Sequence, residues 1–322
     1  MKLTTQQILD VTVGAVHHEI KEDGIHFYKC TPKQIAAWYA QREVLGERAE
    51  ATTGIRLDFY TNSRSLTLRV GGGNKFEIYT NNLMQGQYLF DSMEKKEVTI
   101  PLTDPLGACQ EETRVTIHLP SHSAGVIREV ELDDGSFVRP HVYDRKILFI
   151  GDSITQGWAA CFDSFSFAYR LSRFYNAESV IQGVGGAYYH EDTFDHIPFD
   201  PDVVFIAYGT NDFGHYPTLE EFRAHVSAHL DLLVEEYAGK PFFVLSPIWR
   251  GKRDGKAMGS FEDCRRVVIE EAQKRSLVHI DGLKMVPPLP IFFLDEYLHP
   301  NNDGFSLYAE NLLIELQKHL PV

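Results

Sequence analysis

At 322 residues the chain exceeds one average domain, and 43% hydrophobic with 24% charged residues is the balance of an ordinary globular protein rather than a disordered one. Thirty-one Lys and Arg against 45 Asp and Glu leave a formal charge of −14, which repels a phosphate backbone or an anionic membrane surface, so neither nucleic acid nor membrane is an expected partner. Met1 to Gln7 lacks the apolar stretch of a signal peptide and no apolar run is long enough to span a bilayer, so a cytoplasmic location is expected. Cys30, Cys109, Cys161 and Cys264 are widely scattered and read as reduced structural thiols.

From about residue 12 to 135 the texture is that of short strands. Ile55, Leu57 and Phe59 alternate with Arg56, Asp58 and Tyr60, and Leu66, Leu68 and Val70 alternate with Ser65, Thr67 and Arg69. Asn62-Ser63-Arg64 between them reads as a hairpin connection. Val98, Ile100 and Leu102, then Val115, Ile117 and Leu119, repeat the period, which suits antiparallel sheets with one buried face and predicts a β-sandwich or jelly roll. One helix interrupts it, where Thr31 and Pro32 open Lys33 to Gln41 with a cap and a first-turn proline.

Between about 134 and 144 the pattern breaks at Asp134-Gly135-Ser136 and Arg139-Pro140, then becomes strand, helix, strand, helix. A boundary here divides the chain into residues 1–140, an N-terminal β-sandwich, and residues 141–322, an α/β unit. The apolar runs Ile147 to Ile150, Val180-Ile181, Val203 to Ala207, Phe242 to Leu245 and Leu277 to Ile280 predict a five-stranded parallel sheet with helices on both faces. Phe167, Leu171 and Phe174 follow helical spacing, Thr218 to Glu221 forms a capping box, and Leu312, Leu313, Leu316 and Leu320 mark a closing helix.

Four loops at or after the carboxyl ends of these strands carry the residue types that acyl transfer needs. Gly151-Asp152-Ser153 places a serine on a strand-to-helix turn. Gln182 to Ala187 is glycine-rich, so its backbone NH groups can approach a ligand. Gly209-Thr210-Asn211-Asp212 offers the Asn211 amide to a developing oxyanion. Asp295 to Asn301 brings an acid and His299 within a few residues. A serine hydroxyl needs a neighbouring base, the base needs a third group to fix its tautomer, and no metal or organic cofactor is required. Gly-Asp-Ser also has a plainer reading, a turn followed by a helix cap.

Over residues 145–320 these four blocks, in order, resemble the SGNH branch of the GDSL hydrolases. The resemblance implies an α/β parallel-sheet hydrolase fold of SGNH type, Ser153 as nucleophile, His299 as base, and an oxyanion hole from the Ser153 NH, the Gly186 NH and the Asn211 side chain. Gly183 or Gly185 replaces Gly186 if the loop register differs. In that family the acid usually lies three residues before the histidine, which gives Glu296, whereas the usual aspartate is one further back at Asp295. Asp295 is expected, because its shorter side chain has less rotamer freedom to lose, with Glu296 as the alternative.

Other chemistries fit less well. The α/β-hydrolase elbow Gly-x-Ser-x-Gly fails at Thr155, and a dinucleotide fingerprint fails at Tyr188. His190 to His196 lacks His-Glu-x-x-His spacing and reads as a solvated loop or helix start. A carbohydrate-binding protein on a dead hydrolase scaffold is disfavoured by the intact Ser153, Asn211 and His299. A β-rich domain before an SGNH domain resembles carbohydrate acetylesterases, with Trp158 and Trp249 as candidate sugar platforms, or as core or rim packing. The expected substrate is therefore a small-molecule or oligosaccharide ester, with short-chain carboxylester or lipase chemistry on non-sugar esters as the alternative. Self-association is left open.

Overall fold

A computed structural model describes residues 1–73, 75–90, 96–102 and 111–320; Cys109 lies outside these. Two antiparallel sheets face each other across one apolar core. In the first, the strand order is Thr12–Val13, Arg56–Thr61, Thr113–His118, Lys75–Thr80, Leu83–Leu89, with Arg139–Pro140 also on Arg56–Thr61. In the second it is His17–Lys21, Gly24–Tyr28, Gly125–Leu132, Ser65–Gly72, Glu97–Pro101. Leu57, Phe59 and Ile117 from one sheet meet Leu66, Leu68, Val70 and Ile127 from the other, as alternation along each strand requires.

The hairpin reading of Asn62-Ser63-Arg64 is corrected. Arg56–Thr61 and Ser65–Gly72 lie in different sheets, so these three residues carry the chain across the core rather than back along its neighbour. Asp133 holds the crossing, accepting from the Arg64 backbone NH at 2.7 Å and the Ser65 hydroxyl at 2.6 Å. The single-buried-face expectation also fails locally. Arg56 and Asp58 are buried, because the outer face of their strand lies against the α/β unit, where Arg56 donates to the Ala177 carbonyl at 3.1 Å.

All five expected parallel strands form, in the order Ala177–Gly183, Arg145–Gly151, Val203–Ala207, Phe242–Leu245, Val278–Ile280. Their apolar runs are continuous because alternate residues feed two cores. Leu148, Ile150, Val204, Ile206 and Val244 face Leu219–Glu236 and Phe261–Lys274. Ile147, Phe149, Val203, Phe205 and Phe243 face Phe167–Phe174 and Asn302–Leu316. Among the described residues no helix is long and apolar enough to cross a membrane.

The helix Pro32–Gln41 is capped as expected, Thr31 and Gln34 forming a reciprocal box. A second helix, Glu43–Glu50, follows. By packing, both belong to the α/β unit: Trp38, Leu45 and Ala49 share a core with Tyr188, Tyr189 and Phe213. Buried Lys29 anchors the segment, donating to the carbonyls of Arg48 at 2.8 Å and Ala51 at 2.7 Å and to the Thr53 hydroxyl at 3.0 Å. Desolvation lowers its pKa to about 8.

Candidate active site

The strand Arg145–Gly151 delivers Ser153 as the first residue of a single-turn helix, Ser153–Gln156. Asp152 caps that turn, its carboxylate accepting from the Ile154 NH at 2.9 Å. Burial pushes the Asp152 carboxyl up to about 7. Gly183, at the end of the neighbouring strand, packs against the same turn so closely that a Cβ would sit 2.4 Å from the Gln156 nitrogen.

Ser153 Oγ lies 2.9 Å from His299 Nε2, and His299 Nδ1 lies 2.7 Å from Asp295 Oδ2. A carboxylate only accepts, so Nδ1 carries the proton and Nε2 is left to accept from the serine hydroxyl. The other Asp295 oxygen accepts three backbone NH groups, from Tyr297 at 3.1 Å, Leu298 at 2.7 Å and His299 at 3.1 Å. Burial pushes the Asp295 carboxyl up, but those NH groups and the imidazole outweigh it and hold it below the usual range. For His299, burial lowers the pKa, and the hydrogen bond and charge of Asp295 only partly restore it.

Glu296 is exposed and stands outside this line. Its φ of 64° is left-handed, which absorbs the additional residue between acid and histidine. Leu294 NH bonds the His299 carbonyl at 2.9 Å, closing the loop around it. The departure from the three-residue spacing is therefore a bulge in the loop, with Asp295 at the imidazole.

The second and third loops are fastened to each other. Asp212 accepts the Tyr189 NH at 2.9 Å and the Gly209 NH at 2.8 Å, while Asn211 Nδ2 donates to the Ala187 carbonyl at 2.9 Å. That bond uses one amide hydrogen of Asn211 and leaves the second for a ligand. Burial raises the Asp212 pKa to about 7 against those backbone donors, and Asp152 adds to the push. Gly186, at φ 88°, lines a cleft of about 310 Å³ together with Asn211, and its backbone NH, like that of Ser153, makes no hydrogen bond among the described residues.

Trp158 stands at the site: it is 37% exposed, its ring centroid lies 6.3 Å from that of His299, and the Arg48 guanidinium sits 5.3 Å from its ring. Trp249 is half-buried and packs on Phe293 at 5.1 Å. The motif residues His190 to His196 go elsewhere, with Glu191 bonded to His225 and His196 to Glu236. Cys30 and Cys264 are buried and Cys161 is exposed.

Four cationic residues at or beside the site carry no motif. Arg48 donates to the Gly185 carbonyl at 2.8 Å and so holds the glycine loop. Arg42, Arg250 and Lys256 line the cleft, Arg250 donating to the Thr210 carbonyl at 2.7 Å. The position of Arg250, five residues past the strand Phe242–Leu245 at the ligand-bearing sheet edge, is a usable signal. For Arg42 and Arg48, on the far side of the expected boundary, no local signal exists.

Residues 149–307 match the GDSL-like Lipase/Acylhydrolase family. No curated protein matches the chain. Among solved structures, it is similar to the salicylyl-acyltransferase SsfX3 from a tetracycline biosynthetic pathway (17% identity, 97% of this chain and 95% of that one, TM-score 0.83). It is also similar to a putative GDSL-like lipase from Bacteroides ovatus (16%, 99% and 97%, TM-score 0.73). A third is a family two carbohydrate esterase from Cellvibrio japonicus (16%, 95% and 94%, TM-score 0.68). At these identities the likeness is one of fold.

Proposed function

Since residues 149–307 match the GDSL-like lipase/acylhydrolase family, we propose that this protein is a serine esterase that removes acetyl groups from acetylated carbohydrates. The observation that carries the reading is the unbroken hydrogen-bonded line from Ser153 through His299 to Asp295. His299 Nε2 takes the hydroxyl proton as Ser153 Oγ attacks the ester carbonyl. The carbonyl oxygen becomes an oxyanion held by the NH groups of Ser153 and Gly186 and the free amide hydrogen of Asn211. Collapse expels the sugar hydroxyl, protonated by His299, and leaves acetyl-Ser153. Water, deprotonated by the same imidazole, then releases acetate.

The half-exposed Trp158 beside His299 offers a face on which a sugar leaving group can stack. The polar and cationic lining of the cleft disfavours a long apolar acyl chain, and with it the lipase alternative. An acyl-enzyme can also be discharged by an alcohol, and the fold is shared with an acyltransferase as well as with carbohydrate esterases. The test is acetate release from acetylated manno- and xylo-oligosaccharides, with and without an alcohol acceptor. Wild type should release free acetate. Ser153→Ala should lose nearly all turnover with its Tm little changed, because one hydroxyl at a turn is removed. Turnover of aryl acetates with no release from any sugar ester would overturn the carbohydrate reading.

A further inference from the structure

The cleft beside the oxyanion donors has a charge opposite to that of the molecule. It is lined by Arg42, Gly186, Asn211, His215, Arg250 and Lys256 among others, and no Asp or Glu is part of the lining. In a chain of net charge −14 such a surface is not a sampling of average composition. Nor is it consumed by internal pairing. Among the described residues, Arg42, Arg250 and Lys256 form no ion pair with a carboxylate, whereas Arg69, Arg114, Arg223, Arg265 and Arg275 each do.

Two further atoms of the lining are uncompensated: Arg250 Nε and Thr210 Oγ1 are buried without a hydrogen-bond partner. Leaving a buried donor on a guanidinium unmet is costly, and an anionic ligand group is the best acceptor for it. Arg250 is also fixed in place, one arm on the Thr210 carbonyl and its guanidinium 5.6 Å from the Phe213 ring and 6.0 Å from that of Phe261. Arg42 stands close enough to His215 to help depress its pKa, although burial is the larger cause. Arg42 and His215 therefore share one field.

We propose that this cleft is an anion subsite, and that the preferred substrate is an acetylated acidic sugar whose carboxylate binds Arg42, Arg250 and Lys256 while its ester carbonyl occupies the oxyanion donors. This rests on the carbohydrate acetylesterase reading, in which the acetyl group is neutral and the charge must reside on the sugar. A matched pair tests it: monoacetylated methyl glucuronoside and monoacetylated methyl glucoside, which differ only in carboxylate against hydroxymethyl.

At low salt the kcat/KM ratio should favour the glucuronoside by about tenfold or more, as charge-assisted hydrogen bonds imply. The ratio should fall as salt is raised. In an Arg42→Gln, Lys256→Gln double variant it should fall towards one. Circular dichroism and Tm would show that this variant is folded. A ratio near one in the wild type, or one the folded double variant leaves unchanged, overturns the proposal. If neither sugar ester yields acetate while p-nitrophenyl acetate is turned over, it is the carbohydrate reading that fails. The subsite is then decided by p-nitrophenyl hemisuccinate against p-nitrophenyl butyrate: preference for the charged acyl group retains it, and no preference removes it.

Discussion

His299 is held between an acceptor-only carboxylate on one nitrogen and a hydroxyl on the other, so its tautomer is set by the loop that carries it. Asp295→Asn keeps the shape but offers an amide that no longer demands the Nδ1 proton. It should lower kcat by about 10⁴-fold, as the corresponding change does in a serine protease. Glu296→Gln should cost little, its carboxylate being exposed and away from the imidazole. Steady-state rates on an aryl acetate decide between them. The pH profile carries a sign: the base works only when unprotonated, and burial places the His299 pKa below 6.5. The acid limb of kcat/KM should therefore fall below pH 6.5. Residual activity in Asp295→Asn should have a limb lower still, because the partner that raises the pKa is gone.

Elements near the site show a second electrostatic device, the buried cap Asp152. Its folded pKa of about 7 lies above the ordinary carboxyl value of 3.8, so the native state retains the proton over a range where the unfolded chain has lost it. Its contribution to stability is full below pH 4 and is lost as pH rises to about 7. Asn caps helices as well as Asp but does not titrate. Thermal melts should thus show the Tm of Asp152→Asn rising relative to wild type between pH 4 and 7, and a constant difference would refute the shift. At this scale the sequence was most legible. The parallel strands read clearly because both faces are apolar, and the Thr31 cap and its proline mark their helix without tertiary help. The hairpin at Asn62 did not, because a three-residue link looks alike whether it returns along the sheet or crosses to the other one. Arg56 and Asp58 read as solvent-facing for a related reason: alternation reports polarity, and their polar face is covered by the α/β unit.

In the whole molecule, the part that escaped sequence reasoning is the contribution of residues 29–50 to the site. Motifs are local, whereas Arg42 and Arg48 reach the glycine loop only through packing. Gln182 donates to the Lys29 carbonyl at 2.9 Å and to Gln34 at 3.0 Å, so the strand that feeds this loop is also tied to the N-terminal segment. The sandwich holds the loop after Ser153 as well: Glu77 accepts the Ser164 hydroxyl at 2.6 Å and Lys75 pairs with Asp163 at 3.0 Å. An α/β unit begun near His141 would be expected to keep its motifs yet expose the apolar surface around Tyr188 and Tyr189. We expect that truncation to be insoluble or to lack a cooperative melt. A folded, active fragment, judged by circular dichroism and aryl acetate turnover, would show the segment to be dispensable.

The same stitching has a consequence for biosynthesis. Gln34 and its partner Gln182 are 148 residues apart, and Ser153 and His299 are 146 apart. At about 5–20 residues per second, on the order of ten seconds separates the emergence of the helices Pro32–Gln41 and Glu43–Glu50 from that of the strand they cover. A similar interval then passes before the histidine arrives. The nascent chain therefore carries Trp38 and Leu45 unburied long before their core exists, and the hydrogen bond between Ser153 and His299 closes only when synthesis is nearly complete.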